Sequence, residues 1–217
     1  IENNGTLDKY IGDAQMAFWN APLDEPNHAK MAVKTALQMM ENLDGFNKEI
    51  ETEGVPAFGM GLGINTGSVV VGNMGSSQRF DYTCLGDGVN LASRLEGQSK
   101  PYGVKIVIGP KTAEYVSDEY QTVELDLIAV KGKTQGVRIY TVLGPRTIPN
   151  RKYQTAHEQH NKFLQCYRSQ RWSMAITVAR SLTNAWDGQL HDYYVMMMDR
   201  CKDLQNTPLP QDWDGVY

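Results

Sequence analysis

The sequence predicts an α+β fold in its first two thirds, followed by a small all-helical extension. Three observations predict this. Short β-prone runs alternate with helical patterns, tight turns join the strands in pairs, and strand signals stop before residue 146. Hairpin connections favour a mostly antiparallel sheet, and the intervening helices are expected to pack on one face of it. We therefore expect one domain at residues 1–146 and a helical extension at residues 147–217.

The chain opens with a predicted hairpin and a long helix. Turn signals stand at Asn4-Gly5 and Gly12-Asp13, and the apolar residues beside them predict a β-hairpin across residues 7–18. A helix follows, because apolar residues then recur at helical spacing. Those residues are Ala29, Ala32, Val33, Ala36, Leu37, Met40 and Leu43.

A glycine-containing stretch predicts a second hairpin-like unit. Its strands are placed at residues 59–64 and 68–71, on either side of residues 65–67. The alternate glycines Gly61 and Gly63 are expected to allow another backbone to approach closely. Further strands are predicted at 82–85, 105–108, 123–130 and 137–143, and helices at 87–96 and 111–116.

The C-terminal third changes character after a linker at residues 145–150. Apolar and aromatic residues there follow three helical patterns, around Phe163, across Trp172–Leu182 and across Tyr193–Cys201. The simpler interpretation is a helical cap that covers a hydrophobic face. The alternative is a tetratricopeptide-like helix pair, although one copy does not establish a repeat.

Composition limits the partners and the compartment. A hydrophobic fraction of 41% and a charged fraction of 21% are typical of a folded globular protein. The net charge of -4 gives no basic footprint, so no nucleic-acid partner is expected. The three cysteines are too few and too scattered for a disulfide framework or a zinc site, which favours a reducing, cytoplasmic setting. Cys84 and Cys166 are expected in the core.

Asp13 is the first candidate site residue. It stands at the tip of a tight Gly-Asp turn between two apolar strands, where a carboxylate is held rigidly. Such a carboxylate suits a hard cation such as Mg²⁺, which takes one or two protein carboxylates together with phosphate oxygens. An ordinary turn aspartate is the alternative.

Two further sets of polar residues could contact a phosphorylated ligand. Asn90 and Arg94 lie four residues apart on one face of a predicted helix, where an amide and a guanidinium could hold a sugar and a phosphate. Lys131 and Lys133 share a predicted turn and could reach a polyphosphate as point charges. A solvated helix face and a charged turn are the plain alternatives.

Taken in order, these motifs resemble the class III adenylyl and guanylyl cyclase family, in particular adenylate cyclases of bacterial type. The resemblance covers roughly residues 1–143. It implies the ferredoxin-like, palm-type form of the α+β fold and a nucleotidyl cyclase activity. It rests on LDKYIGD at residues 7–13, GLGINTG at 61–67, DYTCLGDGVNLASRLE at 81–96, and VKGK at 130–133 with Tyr140.

The resemblance implies ATP as the substrate. Lys9 and Thr83 match the family's purine-recognising pair, where guanylyl cyclases tend to carry Glu and Cys. A Lys ammonium only donates, so it suits adenine N1, and the Thr hydroxyl can accept from the 6-amino group. Cys84 lies one residue past the relevant position and is not counted as guanine-type.

The resemblance implies roles for the other site residues. Asp13 matches the second of two aspartates that bind two divalent ions, Mg²⁺ or Mn²⁺. Asn90 matches the residue that orients the ribose, and Arg94 the residue that stabilises the transition state. Lys131 matches the lysine on the terminal phosphates. Arg79 lies near a further phosphate-binding arginine, although the local alignment is loose.

The resemblance also implies a dimer. Family members form their sites between two such domains, so we expect a head-to-tail homodimer with two equivalent sites. The family's first metal aspartate belongs to a segment that would precede Ile1. We therefore expect an N-terminally truncated chain, and any membrane association would come through the upstream region.

Three other functions stay open at this point. The chain could be a non-catalytic cyclase-homology module that signals by dimerisation, a guanylate cyclase, or a purely structural domain with a helical interaction cap. Retention of Asp13, Lys9, Thr83, Asn90 and Arg94 together favours catalysis over a decayed module.

Overall fold

The computed structural model of the chain describes residues 2–76, 79–129, 136–146 and 151–217. Within these ranges the strands form two separate antiparallel hairpins and one four-stranded sheet of order β3-β6-β8-β7. The hairpins are β1 with β2 and β4 with β5. The strands are β1 Thr6–Ile11, β2 Ala14–Phe18, β3 Leu62–Ile64, β4 Val70–Ser76, β5 Arg79–Leu85, β6 Ile106–Ile108, β7 Tyr120–Ile128 and β8 Val137–Pro145.

Six α-helices and a short 3₁₀ helix accompany these strands in the described ranges. The predicted α+β class is confirmed, since every strand pair except β3–β6 is antiparallel. The α-helices are α1 His28–Thr52, α2 Asp87–Gln98, α3 Pro110–Val116, α4 Arg151–Arg168, α5 Trp172–Leu182 and α6 His191–Leu204, and the 3₁₀ helix is Ala185–Gly188.

The second predicted hairpin is wrong. Leu62–Ile64 pairs in parallel with Ile106–Ile108, and Val70–Ser76 pairs with Arg79–Leu85 instead of folding back on β3. The reason lies between the two strands. The Asn65 side chain donates to the Gly88 carbonyl at 3.1 Å, and Thr66 shares a hydrogen bond with another threonine at the start of α3. The chain is therefore held against the two helices and does not turn back.

The α+β class holds, but the helices are not confined to one face of the sheet as expected. They cover both faces of the four-stranded sheet, whose side chains alternate between two cores. Ile106 and Ile108 face a core shared with α1 and α3. Val107, between them, faces a second core that includes α2 and the C-terminal helices. The residues that the C-terminal helices contribute to this second core include Phe163, Leu164, Tyr167, Val178, Leu182, Tyr193, Tyr194 and Met197.

Polar contacts complete the attachment of the C-terminal helices to the sheet. Tyr193 donates to the Leu125 carbonyl at 2.7 Å, and Arg200 pairs with Asp126, whose side chain is fully buried.

The division at residue 146 and the tetratricopeptide-like alternative stay predictions. Among the helices of the described ranges, none combines the length and the apolar character that a membrane crossing needs.

Candidate active site

The β1–β2 hairpin presents Asp13 at its tip. The turn consists of Gly12 and Asp13, and Gly12 takes a φ of 65°, in the left-handed region that glycine adopts without strain. The Asp13 side chain is exposed. The predicted hairpin is confirmed, and its geometry leaves this carboxylate open to a ligand from solvent.

A β-bulge in β1 changes which side chains face inward. Leu7 pairs with Ala17 and Lys9 pairs with Met16, so β1 advances two residues while β2 advances one. Asp8 is therefore the extra, unpaired residue, and bulges of this kind redirect a side chain. The Asp8 side chain is 0% exposed, whereas 38% of the neighbouring Lys9 side chain is exposed.

Asp8 joins the two predicted purine-recognising residues. Its Oδ2 accepts a hydrogen bond of 2.5 Å from the Thr83 hydroxyl on β5. Its Oδ1 lies 3.4 Å from the Lys9 ammonium nitrogen. Lys9 and Thr83 come from distant parts of the sequence, and the structure brings both to a single carboxylate. A ring contact between Phe18 and Tyr82, with centroids 6.1 Å apart, also packs the two hairpins together.

The sequence interpretation missed Asp8. Strict alternation along a strand places neighbouring residues on opposite faces, which would separate Asp8 from Lys9. Only the bulge, which depends on pairing with β2, places both near Thr83. An acidic residue directly before Lys9 in a predicted strand was the available signal, since a buried carboxylate needs a partner.

Helix α2 lies directly on β3 because two glycines leave room for it. A Cβ atom built on Gly63 would lie 2.1 Å from the Ala92 carbonyl oxygen, and one on Gly61 would lie 2.1 Å from the Ser99 hydroxyl. The predicted close backbone approach at these glycines is confirmed. The same contact fixes the height of α2 above the sheet.

Asn90 and Arg94 share the exposed face of α2. Leu91 and Leu95, one residue further on in each case, are 6% and 0% exposed and point into the core. Gly86, with a φ of 148°, joins β5 directly to this helix. Thr83 at the end of the strand and Asn90 in the first turns of the helix are thus positioned by one rigid strand–helix unit.

Cys84 does not provide a reactive thiolate in this region. It is 3% exposed, and burial followed by the nearby Asp8 carboxylate raises the pKa of its thiol. Cys84, Cys166 and Cys201 are all free and buried, which confirms the core positions expected for the first two.

The other predicted phosphate ligands cannot be placed in this site. Lys131, and the lysine turn around it, lie outside the described residues. Arg79 begins β5 opposite Ser76, but its side chain is outside the described part of the structure.

A metal ion at Asp13 would need oxygen ligands from elsewhere. In the described ranges, no three or more His, Cys, Asp or Glu side chains are grouped as a metal site. A single exposed carboxylate nevertheless fits Mg²⁺ or Mn²⁺ that arrives with a nucleotide, because such ions are bound by one or two carboxylates plus substrate phosphates.

An open cleft of about 740 Å³ lies beside the N-terminus of α2 but is not lined by any of the predicted site residues in the described ranges. Its walls include Asn65, Asp87, Lys111, Arg138 and Asp214. Lys9, Asp13, Asn90 and Arg94 are exposed or partly exposed on the β1–β2 hairpin and on α2, whereas Thr83 is buried, with 6% of it exposed. Apart from Thr83, these described residues face outward and do not line a cleft within one chain.

Comparison with known proteins identifies the family. The family model described as adenylate and guanylate cyclase catalytic domain matches residues 7–144. The chain belongs to this family. The matched range contains β1 to β8 almost completely and all the predicted site residues.

Individual cyclases agree with this assignment. The domain is 37% identical over 142 residues to adenylate cyclase 1 of Rhizobium meliloti, covering 65% of this chain and 21% of that protein. The adenylyl cyclase CyaB from P. aeruginosa superposes with a TM-score of 0.62 at 33% identity, covering 69% of this chain and 76% of that one. A guanylyl cyclase structure superposes with a TM-score of 0.59 at 31% identity, covering 69% and 75%.

These comparisons concern the cyclase domain and not the whole of each relative. The chain spans about a fifth of the length of the Rhizobium enzyme. Residues beyond 144 lie outside the family match, so the C-terminal helices are not part of the range that assigns the family.

Proposed function

We propose that this chain forms the catalytic region of an adenylate cyclase, which converts ATP to 3′,5′-cyclic AMP and pyrophosphate. The observation that carries the proposal is the meeting of Lys9 and Thr83 at Asp8. Two residues with the right chemistry for the adenine edge lie together on adjacent hairpins. The adenylate cyclase names among the relatives support the same substrate.

The Lys9 ammonium favours adenine over guanine. It carries three donors and no acceptor, so it can donate to adenine N1 but not to guanine N1, which bears a hydrogen. Its side chain is partly exposed and remains available to a nucleotide. Thr83 complements it, because its hydroxyl oxygen can accept from the 6-amino group of adenine.

The reaction needs no covalent protein intermediate. The ribose 3′-oxygen forms a bond to the α-phosphorus, and the bond from the α-phosphorus to the oxygen that bridges it to the β-phosphorus breaks. Pyrophosphate leaves with that oxygen, and the 3′-hydroxyl proton passes to solvent. Asn90 orients the ribose, and Arg94 opposes the negative charge that grows on the α-phosphate oxygens. Lys131 and Arg79 are proposed to hold the phosphates. Bound Mg²⁺ or Mn²⁺ at Asp13 would supply Lewis-acid stabilisation of the same charge.

We propose that the active unit is a head-to-tail homodimer. The β4–β5 hairpin is a two-stranded sheet, and such sheets are marginal in water unless another surface covers them. Val70 and Leu85 lie opposite each other on one face and are 64% and 52% exposed, and Phe80 on the other face is 62% exposed. Apolar surface of this kind indicates a protein interface, and it adjoins the residues that would contact ATP.

The proposal is tested by assaying cyclic nucleotide formation from ATP and from GTP with added Mg²⁺ or Mn²⁺. We expect cyclic AMP as the main product and a loss of roughly 100-fold or more in Arg94→Ala, since removing one transition-state donor typically costs that much. Arg180→Ala, an exposed arginine on α5, is the matched control and should keep full activity. Similar rates with ATP and GTP would contradict the substrate assignment.

The alternative is a non-catalytic cyclase-homology module. It predicts nucleotide binding or dimerisation without cyclic product, under any metal condition and also in a protein extended at the N-terminus. The outward-facing Asn90 and Arg94 pair favours catalysis, because a helix face used only for dimerisation has no need for both groups at this spacing.

A further inference from the structure

The hydrogen bond between Asp8 and Thr83 can run in one direction only, and under the proposed function that direction matters for the base. The Asp8 carboxylate has acceptors only, so the contact between Asp8 Oδ2 and Thr83 Oγ1 uses the single hydroxyl proton of Thr83. That proton is no longer available for a ligand. Thr83 then presents only lone pairs toward the base.

We infer that Asp8 is a positioning residue that sets purine specificity by forcing the Thr83 hydroxyl to act as an acceptor toward the nucleotide. Adenine places an amino group at position 6, which donates to such an acceptor. Guanine places a carbonyl oxygen there, which would oppose the lone pairs of Thr83. A threonine without this constraint could rotate its hydroxyl and donate to the carbonyl.

The burial of Asp8 makes the constraint strong. The side chain is 0% exposed, so water does not compete for Oδ2. Its other oxygen, Oδ1, is buried and accepts no hydrogen bond within the described residues, although Lys9 Nζ lies 3.4 Å away. An enclosed carboxylate in this position gains from each available donor, and Thr83 is the donor within reach.

Lys9 fixes which way an amide at position 8 would lie. In Asp8→Asn, an Nδ2 group beside the Lys9 ammonium would set two donors against each other. The amide oxygen should therefore face Lys9, and the Nδ2 group should face Thr83. Thr83 would then accept a hydrogen bond from the amide and turn its own proton toward the base. Its preference would change from the 6-amino group of adenine to the 6-carbonyl of guanine, although the side chain at position 8 keeps almost the same shape.

The test is the nucleotide preference of Asp8→Asn. We expect the ratio of kcat/KM for ATP to that for GTP to fall by about tenfold. This is the effect on affinity that one mismatched hydrogen-bond contact typically has. Equilibrium binding of ATP and GTP should show a parallel shift, and this binding needs no turnover. If Asp8 had a purely structural role, Asp8→Asn would lower kcat/KM for ATP and for GTP by the same factor. An unchanged ratio of this kind would overturn the inference.

Two further variants keep the test decisive. Asp8→Ala also frees the Thr83 proton and should shift the ratio in the same direction, which covers a folding failure of Asp8→Asn. On a Thr83→Val background, Asp8→Asn should not change the ratio further, because the residue through which it acts is gone. If Asp8→Asn still changed the ratio on the Thr83→Val background, Asp8 would not act through Thr83.

The failure of this inference is distinguishable from the failure of the proposed function. A wild-type chain that prefers GTP in turnover and binding contradicts the proposed substrate. A wild-type chain that prefers ATP, combined with an unchanged ratio in Asp8→Asn and Asp8→Ala, contradicts only the role of Asp8.

Discussion

Gly63 of β3 and Ala92 of α2 approach so closely that a methyl group on Gly63 would lie 2.1 Å from the Ala92 carbonyl oxygen. The Glu96 backbone nitrogen would lie 2.3 Å from the same methyl group. These neighbours are backbone atoms of a helix and cannot rotate away. The position of Asn90 and Arg94 above the sheet therefore depends on the absence of a side chain at Gly63.

Gly63→Ala should lower both stability and cyclase activity. The methyl group forces α2 away from β3, and overpacking of a close contact costs about 1–3 kcal/mol. Because Asn90 and Arg94 move with the helix, kcat should fall more than the loss of folded protein explains. Chemical denaturation gives the free energy of unfolding. Turnover of ATP is then measured at a low temperature, where most of the variant stays folded, so that kcat refers to folded protein.

Gly97→Ala is the matched control for this prediction. Gly97 lies on the same helix, and a Cβ atom there would meet nothing within 4 Å. Replacing a helical glycine by alanine should stabilise the protein by up to about 1 kcal/mol. If the two variants had the same free energy of unfolding and the same kcat, the close contact at Gly63 would not hold α2 in place.

The ion pair between Arg200 and Asp126 should be a main attachment of α6 to β7. Arg200 Nη1 lies 2.5 Å from Asp126 Oδ2, and their side chains are 10% and 0% exposed. Tyr102 donates to the same oxygen at 2.6 Å. Arg200→Met leaves a buried carboxylate without its cation, which should cost about 3–5 kcal/mol in the free energy of unfolding.

Lys202→Met provides the comparison for Arg200→Met. Lys202 lies on the same helix, and its partner Asp199 is 2.7 Å away, but the two side chains are 58% and 63% exposed. An exposed pair of this kind contributes about 1 kcal/mol or less. If urea denaturation gave similar losses for both variants, the buried pair would not hold the helix.

His160 should make the protein less stable as the pH falls. Burial lowers the pKa of its imidazole from 6.5 to about 3. Its Nε2–H donates to the Glu124 carbonyl at 2.6 Å, and its Nδ1 accepts from the Tyr194 hydroxyl at 2.8 Å, so the folded state holds it neutral. Between these two pKa values the unfolded chain binds one proton more than the folded chain, so stability rises with pH.

The measurement is the free energy of unfolding between about pH 5 and pH 7.5, where His160 contributes at most about 1.4 kcal/mol per pH unit. His160→Gln should be less stable at pH 7 and show a flatter slope below pH 6.5. Burial also lowers the pKa of His157, so part of the wild-type slope remains. An equal slope in the wild-type chain and in His160→Gln would contradict this role of His160.

The parts that sequence reasoning predicted depend on local patterns. The α2 helix and the shared face of Asn90 and Arg94 follow from helical spacing, and the β1–β2 hairpin follows from the Gly12-Asp13 turn. Gly63 was predicted as a site of close approach because a glycine in a strand often marks a place where another backbone comes near. Each of these features is encoded within a few neighbouring residues.

The parts that were missed depend on pairing between distant segments. The parallel partner of β3 is β6, and nothing within residues 59–71 indicates this. The bulge that turns Asp8 toward Thr83 exists only once β1 pairs with β2. Three helical patterns after residue 150 were visible, but the attachment through Arg200 requires a buried acid on β7 that no local pattern reveals.

Mixing two inactive variants tests the head-to-tail dimer directly. In a head-to-tail dimer we expect one chain to supply Asp13 to a site and its partner to supply Asn90 and Arg94 to the same site. Asp13→Ala and Arg94→Ala should each be inactive alone, because every site in either homodimer lacks one group. A mixed dimer has one site with both defects and one site with none. Equal mixing with free exchange should therefore restore about a quarter of wild-type activity, since half of the dimers are mixed and each has one of two sites intact.

Mixing Arg94→Ala with Asn90→Ala is the control and should restore no activity. Both substituted residues are supplied to a site by the same chain, so every site in the mixed dimer still lacks one of them. Recovery in the control, or none in the test mixture despite chain exchange seen by light scattering and labelling, would contradict the shared site.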